Sequence, residues 1–252
     1  MKVTLINHTG DALNLLLRTK NTRLANDSDP SAWTDEERMA HLKYMLSTIK
    51  SSWEFVDYVF EIEGVTRAFT HQLVRTRTGS YAQEAMRVVD ASHAAVLRPA
   101  DKMNEYGKDI WDEAVRVAMV SYTDLLGHGV ARQDARGLLP TNVMTSIVAK
   151  FNLRTLHEMA RLRLCTRTQG EYQDVFRAMR ACVVAVHPWA ADFIQVECAT
   201  SGTCAFPNYG RDECPVWFPE LDNQAVRDKA AARFWEGMRY EAAPEAKGGM
   251  AQ

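Results

Sequence analysis

No apolar run in this chain of 252 residues is long enough to cross a bilayer, which excludes a helical membrane protein. Positive charge is not in excess. The formal net charge is -2, so the chain as a whole is not built to hold a polyanion, and any anion site has to come from local clustering of arginine. Cysteine is scarce and unpaired in pattern. The five cysteines, Cys165, Cys182, Cys198, Cys204 and Cys214, are odd in number and contain no C-x-x-C, which argues against both a disulfide framework and a metal site and leaves free thiols as the expectation. There is no internal repeat. The segment Met1–Asn7 turns polar too early for the apolar core of a signal peptide. It reads instead as a short first strand of a cytoplasmic protein with no membrane partner.

What is present is ordinary globular composition, 46% hydrophobic and 25% charged, with enough length for a real core. Asp35-Glu36-Glu37 opens a helix on which Met39, Leu42, Met45, Leu46 and Ile49 recur at helical spacing until Ser51-Ser52. Residues 55–62 alternate as a strand, with Val56, Tyr58, Phe60 and Ile62 on one face, and Gly64 marks a turn. A helix over 65–74 delivers Arg75-Thr76-Arg77. A long amphipathic helix covers 104–126, a short one 131–138 stops at Pro140, and 141–151 has strand character. Asn152 caps a helix to about Leu164, and 171–197 reads as one long helix bent at Pro188. The expected class is α+β, a small antiparallel sheet packed with long helices. Residues 1–197 are expected to form a single catalytic domain. Residues 198–252 form a Cys-, Pro- and Gly-rich C-terminal extension whose last stretch, 242–252, is disordered.

The chemistry is concentrated in arginine-bearing segments. In 75–87, alternating arginines are followed by Gly79, a hydroxyl and an aromatic ring. Arginine holds phosphate through a planar fork, and Gly79 allows close approach of backbone to a ligand. Spacing alone fits a solvated basic loop equally well. In 152–167, Leu153, Leu156, Ala160 and Leu164 mark one buried helix face, leaving Arg154, Arg161 and Arg163 on others. Glu158, four residues after Arg154, offers a simple surface pair as the alternative.

Taken together these segments resemble the flavin-dependent thymidylate synthase family. Arg75-Thr76-Arg77, seven residues, Ala85 and then Arg87 parallel the family's R-H-R, seven residues, serine and a following arginine, with Thr76 and Ala85 departing from the histidine and the serine. Ala135-Arg136-Gly137-Leu138-Leu139-Pro140 parallels A-R-x-x-L-P. Asn152-Leu153-Arg154-Thr155-Leu156, Leu162-Arg163 and Thr168-Gln169-Gly170-Glu171 parallel the third block. The resemblance covers roughly 35–193. It implies a cofactor set of Arg75, Thr76, Arg77, Gln83, Asn152, Leu153, Arg154 and Glu158 around FAD. It also implies a nucleotide set of Gln72, Arg75, Gln83, Glu84, Ala85, Met86, Arg87, Arg136 and Arg163. Arg163 is the catalytic group facing the pyrimidine, and Arg136 reaches the nucleotide of a neighbouring subunit in a homotetramer with shared sites.

The implied reaction is transfer of a one-carbon unit from methylene-tetrahydrofolate to C5 of dUMP, with FAD reduced by NADPH. Arginine only donates hydrogen bonds, so Arg163 favours a deprotonated N3 of uracil but also suits the acceptor N3 of cytosine. A dUMP or dCMP methylase or hydroxymethylase is therefore the second reading. A non-catalytic nucleotide-binding or nucleic-acid-binding protein is the third. Nucleic acid is disfavoured as a partner because aromatic residues are not interleaved with the basic ones.

Overall fold

The computed structural model describes residues 1–99, 103–202, 204 and 206. Cys214 and the expected tail over 242–252 lie outside the described residues, as does most of the proposed C-terminal extension. In chain order the elements are β1 (Lys2–His8), α1 (Ala12–Arg23), α2 (Asp35–Leu46), β2 (Asp57–Thr66), α3 (Arg67–Leu73), β3 (Ser80–Gln83), α4 (Glu105–Gly127), α5 (Arg132–Ala135), β4 (Met144–Asn152), α6 (Leu153–Arg163), α7 (Gly170–Val186) and α8 (Glu197–Ser201). Short 3-10 turns occupy Pro30–Ala32, Ser51–Phe55, Arg136–Leu138 and Pro188–Asp192. The strands form one sheet in the order β1-β2-β4-β3, with β3 antiparallel to β4 and Ser80 opposite Lys150. The class is α+β, as expected.

The chain divides into two compact groups, one of residues 1–6 and 59–151, the other of residues 7–58 and 152 onward. In the first, β2 continues through Gly64 at φ 64°, so the turn expected there does not form. Glycine is required, because a side chain at that φ is strained and a Cβ would lie 3.3 Å from the Met1 nitrogen. The alternation along β2 is real, since Val56, Tyr58, Phe60 and Ile62 are all fully buried. Thr66 accepts a hydrogen bond from Phe69 N at 3.0 Å and so caps α3. Helix α4 is capped by Asn104, whose side chain accepts from Gly107 N at 2.9 Å. Its only buried residue is Tyr122, which packs with Ala91 and Ala135. Tyr106, Ile110, Val117 and Val120 stay exposed on it.

In the second group, Thr34 and Glu37 form a reciprocal capping box that starts α2, which ends at Leu46 rather than near Ile49. Helix α1 is absent from the pattern read above. It buries Leu16 and Leu17 completely, each worth about 1.5–3 kcal/mol of transfer free energy. Asn152 starts α6 by accepting Thr155 N at 2.8 Å. The predicted inward face of α6 is the buried one: Leu153, Leu156, Ala160 and Leu164. Against it lie Tyr172, Val175, Phe176, Met179 and Val183 of α7, all buried at helical spacing. The long helix expected over 171–197 is three pieces. Helix α7 stops at Val186 because Pro188 donates no N–H and pushes His187 out of the helical region, to φ -132° and ψ 79°.

Candidate functional site

The sequence places its arginines in both groups, and each group builds a local arrangement of its own. In the first, the chain leaves α3 through a tight turn in which Thr76 N bonds Leu73 O at 3.0 Å and Gly79 N bonds Thr76 O at 3.1 Å. The Tyr81 hydroxyl closes this turn, lying 3.1 Å from the Leu73 carbonyl and 2.7 Å from that of Thr76. Gly79 is explained here. A Cβ on it would fall 2.5 Å from the Tyr81 hydroxyl and 2.6 Å from the Phe151 ring. The space that the sequence suggested for a ligand is thus filled by two rings, which meet edge to face at 5.7 Å. The turn presents Arg75 and Arg77 exposed, and no carboxylate among the described residues pairs with either guanidinium. Thr76 is half-buried, with its carbonyl committed to the turn.

After that turn, residues 80–83 form a strand that the sequence reading treated as loop. Gln83 donates to Thr70 Oγ1 at 2.8 Å. Glu84 donates its N–H to Ser146 O at 3.3 Å, and its carboxylate accepts from Thr145 Oγ1 at 3.1 Å. Arg67 donates to the Glu84 carbonyl at 2.5 Å. A cavity of about 50 Å³ lies beside them, lined by Arg67, Glu84, Met86, Val89, Asp90, Ala91, Ala94, Val143 and Met144. The Ala85 carbonyl accepts from Val88 N and Val89 N, both at 2.9 Å, which turns the chain at the exposed Arg87. Gln72 is half-buried on α3. Arg136 is exposed, with Nε donating to Gln133 O at 3.0 Å. Burial holds the Arg67 guanidinium below its ordinary range. Glu84 opposes that effect and the charge of Arg136 adds to it. Arg67, Thr70 and Tyr81 were not singled out by sequence. Only the glycine–hydroxyl–aromatic run 79–81 carried a signal for any of them.

In the second group, Asn152 and Leu153 are structural at the start of α6, the one as cap and the other fully buried with its N–H on Val56 O at 2.8 Å. Arg154 is exposed and pairs with Glu54, not with Glu158 as the spacing suggested. Glu158 instead accepts from Arg161 at 2.9 Å and lies 3.6 Å from the Lys50 ammonium. Arg161 also pairs with Glu197. Burial works to raise the Glu158 carboxyl, but Arg161, His157 and Lys50 together hold it below its ordinary range. His157 lies 2.7 Å from the Phe193 carbonyl through Nδ1 and 2.7 Å from Lys50 Nζ through Nε2. A carbonyl only accepts, so Nδ1 carries the proton and Nε2 accepts from the ammonium. Trp53 meets His157 edge to face at 5.1 Å, and Lys50 sits 5.5 Å from the Trp53 ring centre. Arg163, at the last turn of α6, lays its guanidinium 4.4 Å from the ring centre of buried Tyr172. Lys50, His157 and Tyr172 were also missed by sequence, the first two because they meet across 107 positions and the third because its ring contact with Arg163 joins two different helices. No cluster of histidine, cysteine and carboxylate suited to a metal ion occurs among the described residues. Cys165, Cys182, Cys198 and Cys204 form no disulfide among the described residues. No helix among the described residues is long and apolar enough to cross a membrane.

The chain has known relatives. The chain is 29% identical to a flavin-dependent thymidylate synthase of Sulfolobus acidocaldarius, over 97% of this chain and 93% of that one. It is 31% identical to one of Sulfurisphaera tokodaii, over 79% of each. Among solved structures, the UMP/dUMP methylase PolB of Streptomyces cacaoi, bound with 5-Br dUMP, superposes with a TM-score of 0.64 at 20% identity, covering 76% of this chain and 93% of that one. That likeness is one of fold. The family model described as thymidylate synthase complementing protein matches residues 4–189, which takes in every motif block and every residue of the two arrangements above except Glu197 and Phe193. By that match, and by relatives aligned over most of their length, the chain belongs to the thymidylate synthase complementing protein family.

Proposed function

We propose that the chain is a flavin-dependent thymidylate synthase that methylates C5 of dUMP. The observation that carries this reading is the pair Arg75 and Arg77. Two exposed guanidiniums without carboxylate partners are held on a turn locked by Tyr81, inside the motif block that the family resemblance assigns to flavin and nucleotide. Uncompensated arginines on a fixed backbone suit the phosphates of FAD and of a nucleotide, because the fork geometry is already ordered before binding. Arg154 fits less directly. It must leave Glu54 to reach a ligand, a small cost because the pair is solvent-exposed.

When bound, the flavin supplies the reducing equivalents for the transferred one-carbon unit, with NADPH and methylene-tetrahydrofolate as co-substrates. The protein's own part is orientation and charge. Gln72, Gln83, Glu84, Ala85, Met86, Arg87 and Arg136 hold the nucleotide, and Arg75 spans nucleotide and cofactor. Thr76, Arg77, Asn152, Leu153, Arg154 and Glu158 flank the cofactor. Arg163, braced on Tyr172, donates to the pyrimidine and stabilises negative charge that develops on the ring. Cys165 is not assigned a role, since no base is paired with it. The exposed apolar residues Tyr106, Ile110, Val117 and Val120 of α4 support assembly into a homotetramer.

Thr76 and Ala85 favour one variant of this reading, an altered pyrimidine product, because both stand where the family motif has a side-chain donor. Incubating the purified protein with FAD, NADPH, methylene-tetrahydrofolate and either dUMP or dCMP decides among these. A bound flavin spectrum and a product heavier than dUMP by one methyl group are expected. A hydroxymethyl mass, or product from dCMP alone, would establish the variant, and no flavin binding at all would sink both.

A further inference from the structure

Gln83, Glu84 and Met86 belong to the stretch proposed to hold the nucleotide, and the side chain that supports them is Arg67. Arg67 is half-buried. It donates to the Glu84 carbonyl at 2.5 Å, and its Nε–H is buried with no partner among the described residues. Both carboxylates beside it are engaged elsewhere. Glu84 accepts from Thr145 Oγ1 at 3.1 Å. Asp90 accepts from Ser92 N at 2.8 Å and Ser92 Oγ at 2.6 Å, and faces Arg132 at 3.8 Å. Neither forms an ion pair with Arg67. Burial and the charge of Arg136 both work against the cation. A half-buried guanidinium with an unsatisfied donor is costly unless an anion completes it. The adjoining cavity of about 50 Å³ exceeds the roughly 10–15 Å³ that one water requires, so an oxygen of a ligand can enter it.

We propose that Arg67 is a positioning residue for the 5′-phosphate of the nucleotide: it fixes the backbone at Glu84 and contributes the compensating charge that Ala85, lacking a hydroxyl, does not. This rests on the functional reading above. The incoming phosphate in turn relieves the repulsion between Arg67 and Arg136.

Three variants separate donor from charge. R67Q keeps a donor for the Glu84 carbonyl and removes the charge. R67K keeps both. R67M removes both. KM and kcat for dUMP are measured at low and at high salt, together with the flavin spectrum. R67Q is expected to raise KM about tenfold at low salt, with kcat within about threefold, an unchanged flavin spectrum, and a smaller difference at high salt. R67K is expected to stay within about threefold of the parent, and R67M to lose at least as much as R67Q. Parent-like KM in R67Q at low salt overturns the assignment. So does a tenfold loss in R67K, which would mean that packing rather than charge matters. If the parent protein itself binds no dUMP, it is the functional reading that fails.

Discussion

The guanidinium of Arg163 lies over Tyr172, with its centre 4.4 Å from the middle of the ring. The ring is fully buried and sits on α7, while Arg163 ends α6. A long flexible side chain is thereby restricted by the ring it packs on.

Removing either partner should have different effects. Arg163→Ala is expected to lower kcat by about 100-fold or more, the usual loss for a group that stabilises developing charge. Tyr172→Leu leaves the cation but removes its platform, and about a tenfold fall in kcat is expected, in line with a cation–π contact of roughly 1 kcal/mol plus lost order. Tyr172→Phe keeps the ring and should retain most of the activity. Steady-state kinetics with dUMP check the series. Equal activity in Leu and Phe variants would remove the platform role.

Gly79→Ala tests the turn that carries Arg75 and Arg77. The added Cβ would meet the Tyr81 hydroxyl at 2.5 Å and the buried Phe151 ring at 2.6 Å, contacts that neither ring can avoid without moving. Overpacking of this kind costs about 1–3 kcal/mol. A lowered denaturation midpoint in urea and weakened flavin binding are expected together.

Glu54→Ala releases Arg154 from its partner. Both side chains are about half exposed, so stability should change by less than about 1 kcal/mol. Flavin affinity should rise by a few fold if Arg154 has to leave Glu54 to bind the cofactor. Fluorescence titration with FAD reads this directly, and a fall in affinity would show that the pair itself is the competent form.

Acid should weaken the group of residues 7–58 and 152 onward before it titrates any carboxylate. His41, His157 and His187 are each held below the ordinary 6.5, first by burial and then by Lys20, Lys50 and His8 respectively. The unfolded chain takes up these protons first, so stability is complete above 6.5 and declines as pH falls through and below it. Glu158 and Glu197 are held below 4.5, chiefly by Arg161, so their contribution is lost next, at lower pH. Thermal melts from pH 8 to 5 should show the decline, and His157→Gln should flatten it.

Much of this molecule was legible where one segment decides its own structure. Asn152 announces α6 because a cap acts on the next three residues, and Val56, Tyr58, Phe60 and Ile62 announce β2 because alternation is local. Helix α1 was not legible. It lacks a side-chain cap, and its buried set mixes Leu16 and Leu17 with Lys20 and Asn21, which reads as polar. Lys20 is tolerated there only because His41, Asn21 and the rings of Trp33 and Tyr44 receive its ammonium, from a helix not yet in view. Strand β3 escaped because Ser80-Tyr81-Ala82-Gln83 has no apolar alternation and is a strand only by pairing with β4. At the candidate site the motif blocks pointed to Arg75 and Arg77, and the structure leaves both exposed on the turn that Tyr81 closes. Helical spacing offered Glu158, four positions on, as a partner for Arg154, whereas Glu54, 100 positions away, is the one it meets.

The contact between Gly79 and Tyr81 also constrains how this segment can drift. A larger residue at 79 is admissible only if the rings at 81 and 151 shrink or shift, yet the hydroxyl at 81 is what ties its strand back to the turn at the Leu73 and Thr76 carbonyls. Neither position can change first without loss, so the two are epistatic. Arg75 enters the turn through its backbone, whose N–H donates to Gln72 O at 3.3 Å, so its side chain and that of Arg77 can be exchanged one at a time without loss of the turn. A scaffold of this kind can keep its shape while the side chains proposed to face ligands, such as Thr76 where the family motif has a histidine, are sampled freely.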